Sequence, residues 1–333
     1  MKSVIIGGSG FVGGYLAEHL CSLGHEVVIT GMPQPQAGMK AVKSGTAGSR
    51  IAVYDLDILE KEAVWQLLSE TKPDFVFHLA AQSSVAVSWK NPQLTIDVNI
   101  KGSTNVLEAM LRLEKKPNIL LIGSGEEYGS VSQEEVPVKE TKAAVPGNIY
   151  AATKACQNRI GCIYAQAYGL RAVMVRAFNQ IGPKQHPMYV AADFCRQAAL
   201  IEAGKREAVI RTGNLEARRD FTDVRDTVRA YALLAEKGCQ GETYNVGSGK
   251  AASIREILQI VLDNSYVNIR VEVDEKKLRP TDTPVMEADI SKLQSLTGWK
   301  PQISLEQTIQ EMLDDWRRRV GLCKGQADAE GKL

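Results

Sequence analysis

The sequence predicts an α/β fold: a doubly wound parallel sheet followed by a smaller C-terminal lobe. Three observations predict it. Short β-branched runs alternate with segments of helical period through the first half of the chain, a glycine-rich turn joins the first run to the first helix, and beyond residue 178 the pattern loosens into segments broken at Gly182-Pro183, Pro187 and Gly204. Such alternation builds parallel strands, and right-handed crossovers leave the doubly wound arrangement as the simplest way to cover both sheet faces.

The first run, 3–7, is apolar and β-branched, and glycine interrupts it too soon for a secretory core. A helix is predicted over 11–23 and a second strand over 25–30. Residues 31–50 are rich in Gly, Pro, Gln and Ser and read as a surface loop. Strand 51–54, helix 60–71, strand 74–79, a long helix over 95–112 and strand 118–123 follow in order. A helix from Tyr150 to Tyr168 and a strand over 171–178 complete the first lobe, assigned to residues 1–178. Residues 179–323 supply mainly the second lobe, with crossings back to the first, and 324–333 read as a frayed tail. Arg317, Arg318 and Arg319 suit the negative end of the last helix dipole.

Forty Lys and Arg against 39 Asp and Glu leave no global field to attract nucleic acid or an acidic membrane. An anionic partner must therefore be held locally. No stretch is apolar for the roughly 18 residues that span a bilayer. Cysteines at 21, 156, 162, 195, 239 and 323 form no C-x-x-C pair and fit a reducing compartment, so a cytoplasmic location is expected. No metal site is expected.

Gly7, Gly10 and Gly13 lie three apart, directly after the first strand and at the start of the first helix. Without Cβ atoms the chain turns tightly and a pyrophosphate can approach the main-chain amides, while the helix N-terminus adds partial positive charge. The pattern predicts a Rossmann-like dinucleotide site, with Phe11 and Val12 in its wall. The second strand ends Ile29-Thr30-Gly31-Met32, with neither acid nor base to choose between a ribose hydroxyl and a 2′-phosphate. NAD(H) and NADP(H) thus remain alternatives. Asp57, after the third strand, is placed to accept from an adenine amino group.

Tyr150 and Lys154 share one helix face a turn apart. At about 5 Å and a dielectric near 20, the ammonium stabilises a phenolate by roughly 3 kcal/mol, which moves the phenol from about 10 towards about 7 to 8. Such a group exchanges a proton at neutral pH. Ser124 closes the preceding strand, at the carboxyl edge where open sheets bind ligands, and could hold the oxygen on which Tyr150 acts.

Together with His78-Leu79-Ala80-Ala81-Gln82, Val98-Asn99 and Asn179-Gln180-Ile181-Gly182-Pro183, these features resemble the extended short-chain dehydrogenase/reductase superfamily, the sugar-nucleotide epimerases, dehydratases and reductases. Ala81–Val85 with Ser88-Trp89, the stretch 213–226 and Leu278-Arg279-Pro280 look closest to its reductases of GDP-4-keto-6-deoxy sugars. The resemblance implies a nicotinamide cofactor contacted by Asp57, Ile58, Leu79, Ala80, Ala81 and Asn99, with Lys154 also on its ribose. It implies a nucleotide-sugar substrate, GDP-linked by preference, held by Ser84, Ser124, Glu126, Asn179, Arg219 and Arg279. A guanidinium fork suits a diphosphate. Arg218 or Arg219 could equally pair with Asp220 or Asp223, and His78 reads as a strand-end packing residue.

The reaction so implied is hydride delivery to a C4 ketone, with Tyr150 as proton donor. A 4,6-dehydratase is the rival reading, for which Glu126 could be the base, and a nucleotide-sugar 4-epimerase is a third. The only basic residues of the 31–50 loop, Lys40, Lys43 and Arg50, tilt the choice to the reductase. A redox sensor that binds dinucleotide without turnover is the non-enzymatic alternative. The family pattern further implies a homodimer packed through helices 95–112 and 150–168.

Overall fold

The computed structural model describes residues 1–32, 51–274 and 284–322. Most of the 31–50 loop, Arg279 and the 324–333 tail lie outside the described residues.

Seven strands form one parallel sheet: β1 (Lys2–Ile6), β2 (Glu26–Gly31), β3 (Ile51–Asp55), β4 (Phe75–His78), β5 (Asn118–Ile122), β6 (Ala172–Ala177) and, after three strands of the second lobe, β10 (Thr243–Val246). Their order is β10-β6-β5-β4-β1-β2-β3. The chain winds outward from β1 in one direction and from β4 in the other. Between these two adjacent strands the crossovers diverge and leave a crevice at the carboxyl edge, the place where open α/β sheets take ligands. Register is set by strict alternation. Ile5, Val27, Phe77 and Leu120 point to one face, and Val4, Ile6, Val76 and Ile119 to the other.

The first face is covered by α1 (Phe11–Ser22) and α8 (Val224–Lys237), the second by α2 (Lys61–Thr71), α5 (Ser103–Leu111) and α6 (Ile149–Tyr168). Each fully buried Leu or Ile stabilises this stack by about 1.5–3 kcal/mol. The sheet is thus completed by residues well beyond 178, since β10 pairs with β6.

The second lobe is built on β9 (Arg218–Asp223), which pairs in parallel with β7 (Asn179–Ile181) and β13 (Val285–Met286), and antiparallel with β11 (Ala251–Ser253). A parallel pair, β8 (Val209–Thr212) with β12 (Arg270–Val273), lies beside it. Helices α7 (Val190–Glu202), α9 (Ile254–Asp263) and α11 (Leu305–Val320) share its apolar core.

One predicted element is corrected. The regular helix expected over 95–112 is α4 (Pro92–Ile96), a π-helical turn over Asp97–Gly102 and then α5. The extra residue per turn re-aims Asn99 inward, as such bulges do at functional sites.

Candidate active site

The crevice between β1 and β4 opens into one cleft of about 1370 Å³ that runs from the glycine turn to the second lobe. Single small-molecule sites occupy roughly 300–1000 Å³, so this cleft has room for a dinucleotide and a second ligand. Its walls include Gly7, Gly10, Phe11, Val12, Gly13, Asp57, Ile58, Leu79, Ala80, Ala81, Ser84, Ser124, Glu126, Tyr150, Lys154, Asn179 and Arg219.

Two of the glycines are required by the protein itself. A Cβ on Gly7, at φ +84°, would sit 2.6 Å from the Ala80 nitrogen, and one on Gly13 would sit 2.4 Å from Gly8 Cα. Gly10 differs, because a Cβ there meets nothing nearer than 3.5 Å. It also caps α1 without a side chain, leaving the first-turn amides facing the cleft. At the end of β2, Thr30 Oγ1 accepts from Gly7 N at 3.0 Å, and Ser9 N donates to Thr30 O at 3.2 Å, which binds the turn to the sheet edge. Asp57 Oδ1 accepts from Leu59 N at 2.9 Å, and Ile58 packs in the core.

Asn99 is fully buried and stands behind the wall instead of on it. Its Nδ2 donates to Thr153 Oγ1 at 2.9 Å, while its own carbonyl accepts from Ser103 Oγ at 2.6 Å. His78 Nε2 lies 2.9 Å from that same Ser103 Oγ, and since the hydroxyl proton goes to Asn99, His78 is the donor. His78 is a buried strand-end residue, as its position suggested; burial lowers its pKa to about 3, with the nearby Lys154 charge adding to the effect. Ser84 caps α3 (Val85–Lys90), its Oγ accepting from Val87 N at 3.3 Å.

Ser124 caps a 3-10 turn (Gly125–Tyr128) after β5 and shares the cleft wall with the Tyr150 phenol. Asn148 caps α6 through Ala151 N at 2.8 Å, which sets Tyr150 in the first turn. The same Asn148 donates to the exposed Glu126 Oε2 at 3.3 Å. Lys154 reaches elsewhere: Nζ donates to Ile122 O at 2.7 Å and to Gln157 Oε1 at 2.9 Å. The expected depression of the Tyr150 pKa is therefore not what the structure holds. Desolvation raises the phenol above its ordinary value, opposed by the Ser124 side chain, and the charges of Glu126 and Glu127 raise it further. Burial withdraws the phenolate from water, and that penalty outweighs the attraction of an ammonium one turn away.

In the second lobe, Asn179 is exposed on β7 and Arg219 is half-buried on β9, where its Nη1 donates to Arg218 O at 2.9 Å. The neighbouring acids serve other partners. Asp220 accepts from Ser248 N, Gly249 N and Ala288 N, and Asp223 accepts from Arg225 and from Thr308 Oγ1. Arg218 pairs with Glu256 at 3.3 Å.

The family model described as GDP-mannose 4,6 dehydratase matches residues 4–312. The chain belongs to this family. Members of the GDP-mannose 4,6-dehydratase family and their kin are NAD(P)-dependent nucleotide-sugar enzymes: dehydratases, reductases and epimerases. The chain is 33% identical to GDP-6-deoxy-D-mannose reductase of Pseudomonas aeruginosa over 264 residues, 79% of this chain and 86% of that protein. It is 28% identical to GDP-mannose 4,6-dehydratase of Vibrio cholerae over 357 residues, 94% of this chain and 92% of the relative. The solved structure of RMD from Pseudomonas aeruginosa complexed with NADPH superposes with a TM-score of 0.83 at 30% identity, covering 96% of this chain and all of that one (100%). UDP-glucose 4-epimerase of Thermotoga maritima, solved with UDP-glucose, gives a TM-score of 0.84 at 27% identity, with 96% and 100% covered.

The family's dinucleotide fits the residues present, because Gly10 leaves open the space a Cβ would fill and the uncapped α1 amides face it. No helix among the described residues is long and apolar enough to cross a membrane. Sequence reasoning missed Glu127, which is fully buried behind Ser124, and its partner Arg176. The signal was present: a serine three residues before a glutamate is a capping-box spacing.

Proposed function

We propose that the chain reduces the C4 ketone of a GDP-4-keto-6-deoxy-hexose, GDP-4-keto-6-deoxy-D-mannose first, to the 6-deoxy sugar nucleotide GDP-6-deoxy-D-mannose. The observation that carries this reading is the grouping of Ser124, Tyr150 and Lys154 on the wall of one cleft. Bound NADPH or NADH supplies the hydride. Ser124 holds the ketone oxygen, and Tyr150 donates the proton to the alkoxide that forms there. A phenol raised by burial stays protonated at neutral pH, which suits an acid in the reducing direction.

An ammonium has three N–H donors, and two of those on Lys154 go to Ile122 and Gln157, which leaves one to hold the cofactor ribose. Asp57, Ile58 and the 79–81 wall take the adenine side. Ser84, Asn179 and Arg219 take the sugar nucleotide, with Arg219 on the diphosphate. Residues 1–178 then act as the dinucleotide lobe, completed by β10, and 179–323 as the substrate lobe. The free thiols of Cys156, Cys162, Cys195 and Cys239 support a cytoplasmic location. Exposed Trp89, Ile96, Ile163 and Tyr168, on α3, α4 and α6, support a homodimer. A monomeric mass in light scattering at micromolar concentration would count against it.

One observation favours a second reading. Glu126 lies on the cleft wall beside Ser124, where the 4,6-dehydratase reaction needs a base. The deciding experiment follows NADPH and NADH absorbance with GDP-4-keto-6-deoxy-mannose, GDP-mannose and UDP-glucose in parallel, with products identified. Oxidation with the keto sugar alone supports the reductase. Conversion of GDP-mannose or UDP-glucose without net oxidation replaces it with the dehydratase or the epimerase, and cofactor binding without any turnover replaces it with a redox sensor.

A further inference from the structure

We infer that Glu127, and not the exposed Glu126, is the carboxylate on which the catalytic group depends: it positions Ser124 through that residue's main-chain amide and supplies the counter-charge to Lys154. The inference rests on the oxidoreductase reading above, but its test does not.

Glu127 has no exposed surface. Its Oε1 accepts from Ser124 N at 2.9 Å, and its Oε2 accepts from Arg176 Nε at 3.0 Å. Both oxygens are acceptors, so the pocket is built for the anion. A Cβ on Gly123 would lie 2.2 Å from Oε1, so Gly123 makes the space that the carboxylate fills. Arg176, on β6, is itself fixed: its guanidinium lies 4.4 Å over the Tyr128 ring, and Nη1 donates to Glu140 O at 3.3 Å. Tyr128 in turn donates to Asn245 Oδ1 at 2.7 Å. The turn that presents Ser124 is therefore held from behind by β6 and β10.

Glu127 also acts on Lys154, for its Oε1 fills the space beside Gly123 while Lys154 Nζ donates to the carbonyl of the preceding Ile122 at 2.7 Å, so both groups meet the same stretch of main chain. Burial lowers the amine to about 8, and Glu127 is the charge that opposes this. The other titratable neighbours are accounted for. His78, at the end of β4, is held neutral, and Tyr150 on α6 is raised by burial and by both Glu126 and Glu127. Burial raises the Glu127 carboxyl, against which Arg176, the Ser124 amide and Lys154 act. Removing its charge withdraws from Lys154 the support that lets an ammonium persist in a dry site.

The test uses the full chain carrying 13Cε-labelled lysine, with the Lys154 resonance assigned by its loss in Lys154→Met. Titration by NMR compares the wild type with Glu127→Gln, Glu127→Asp and the double variant Glu127→Gln/Arg176→Gln. The double variant leaves no unpaired buried guanidinium and so covers failure of the single one to fold. Lys154 in the neutral variants is expected to titrate lower by roughly one pH unit, and the alkaline limb of kcat/KM to move with it. Glu127→Asp keeps the charge but shortens the reach, so the titration stays in place while kcat falls roughly ten- to hundredfold. An unchanged Lys154 titration in a folded neutral variant overturns the inference. Absence of wild-type turnover with the keto sugar overturns the functional reading alone, because the titration is read without substrate.

Discussion

Asn99 grips the main chain of Gln82 at both of its polar atoms: Oδ1 accepts from Gln82 N at 2.8 Å, and Nδ2 donates to Gln82 O at 3.1 Å. The same Nδ2 reaches Thr153, whose hydroxyl donates to the carbonyl of Tyr150 at 2.7 Å. One buried amide thus ties the wall segment after β4 to the first turn of α6. Asn99→Ala takes this partner from the part-buried Gln82 main chain and cuts the link to Thr153, and an unsatisfied buried polar group costs about 1–3 kcal/mol. We predict a loss of about 2–4 kcal/mol in urea unfolding, with turnover reduced as Tyr150 shifts. An unchanged midpoint would show that the grip carries no stability.

Two of the motif glycines, Gly10 and Gly13, should separate in behaviour. Gly13→Ala places a methyl 2.4 Å from Gly8 Cα, a contact that backbone must relieve, so this variant should fold poorly or not at all. Gly10→Ala meets nothing nearer than 3.5 Å and should fold with an unchanged circular dichroism melt. Its methyl would stand where a pyrophosphate approaches the α1 amides, so NADPH affinity by fluorescence quenching should fall at least about tenfold, equivalent to about 1.4 kcal/mol. Equal affinity in Gly10→Ala and the wild type would move the phosphate site away from this turn.

Most of the sheet could be read from the chain because parallel strands buried on both faces are continuous apolar runs bounded by breakers. The predicted 118–123 and 171–178 runs become β5 and β6 with ends trimmed by a residue or two. The seventh strand was not read. Thr243-Tyr244-Asn245-Val246 is short and half polar, and only pairing with β6, nearly seventy residues earlier, makes it a strand. Local pattern likewise found Ser124, Tyr150 and Lys154, whose spacing is local. It could not find that Lys154 turns to Ile122 and Gln157, nor that a buried pair, Glu127 and Arg176, lies beneath them, because those are long-range contacts. The π-helical turn at Asn99 has no period to detect over six residues.

Tyr150→Phe removes the proton donor while keeping the ring that fills the wall. If the phenol transfers the proton, kcat should fall by about 10²- to 10⁴-fold, with cofactor affinity little changed. Ser124→Ala should lower kcat by a smaller factor, since the substrate oxygen keeps the tyrosine contact. Stopped-flow absorbance of NADPH at saturating keto sugar measures both. A Tyr150→Phe enzyme with wild-type single-turnover rates would assign proton transfer to another group.

His78 makes stability depend on pH in a direction that can be worked out. Its ordinary value is 6.5, and burial, with the Lys154 charge, lowers it to about 3 in the folded chain. Above 6.5 neither state binds the proton and the fold keeps its full stability. Between 6.5 and 3 the unfolded chain takes up a proton that the folded chain refuses, so stability falls as pH falls. At pH 5 the difference is about 1.5 pH units, or about 2 kcal/mol, and the full window amounts to about 5 kcal/mol. Other carboxylates titrate in the same range, so the measurement is a comparison with His78→Asn, which offers Ser103 a donor but does not titrate. Urea unfolding of both proteins from pH 7.5 to 4.5 should show the wild type losing stability more steeply, by about 2 kcal/mol at pH 5. Parallel curves would mean that His78 is protonated in the fold, and that its bond to Ser103 is made by an imidazolium.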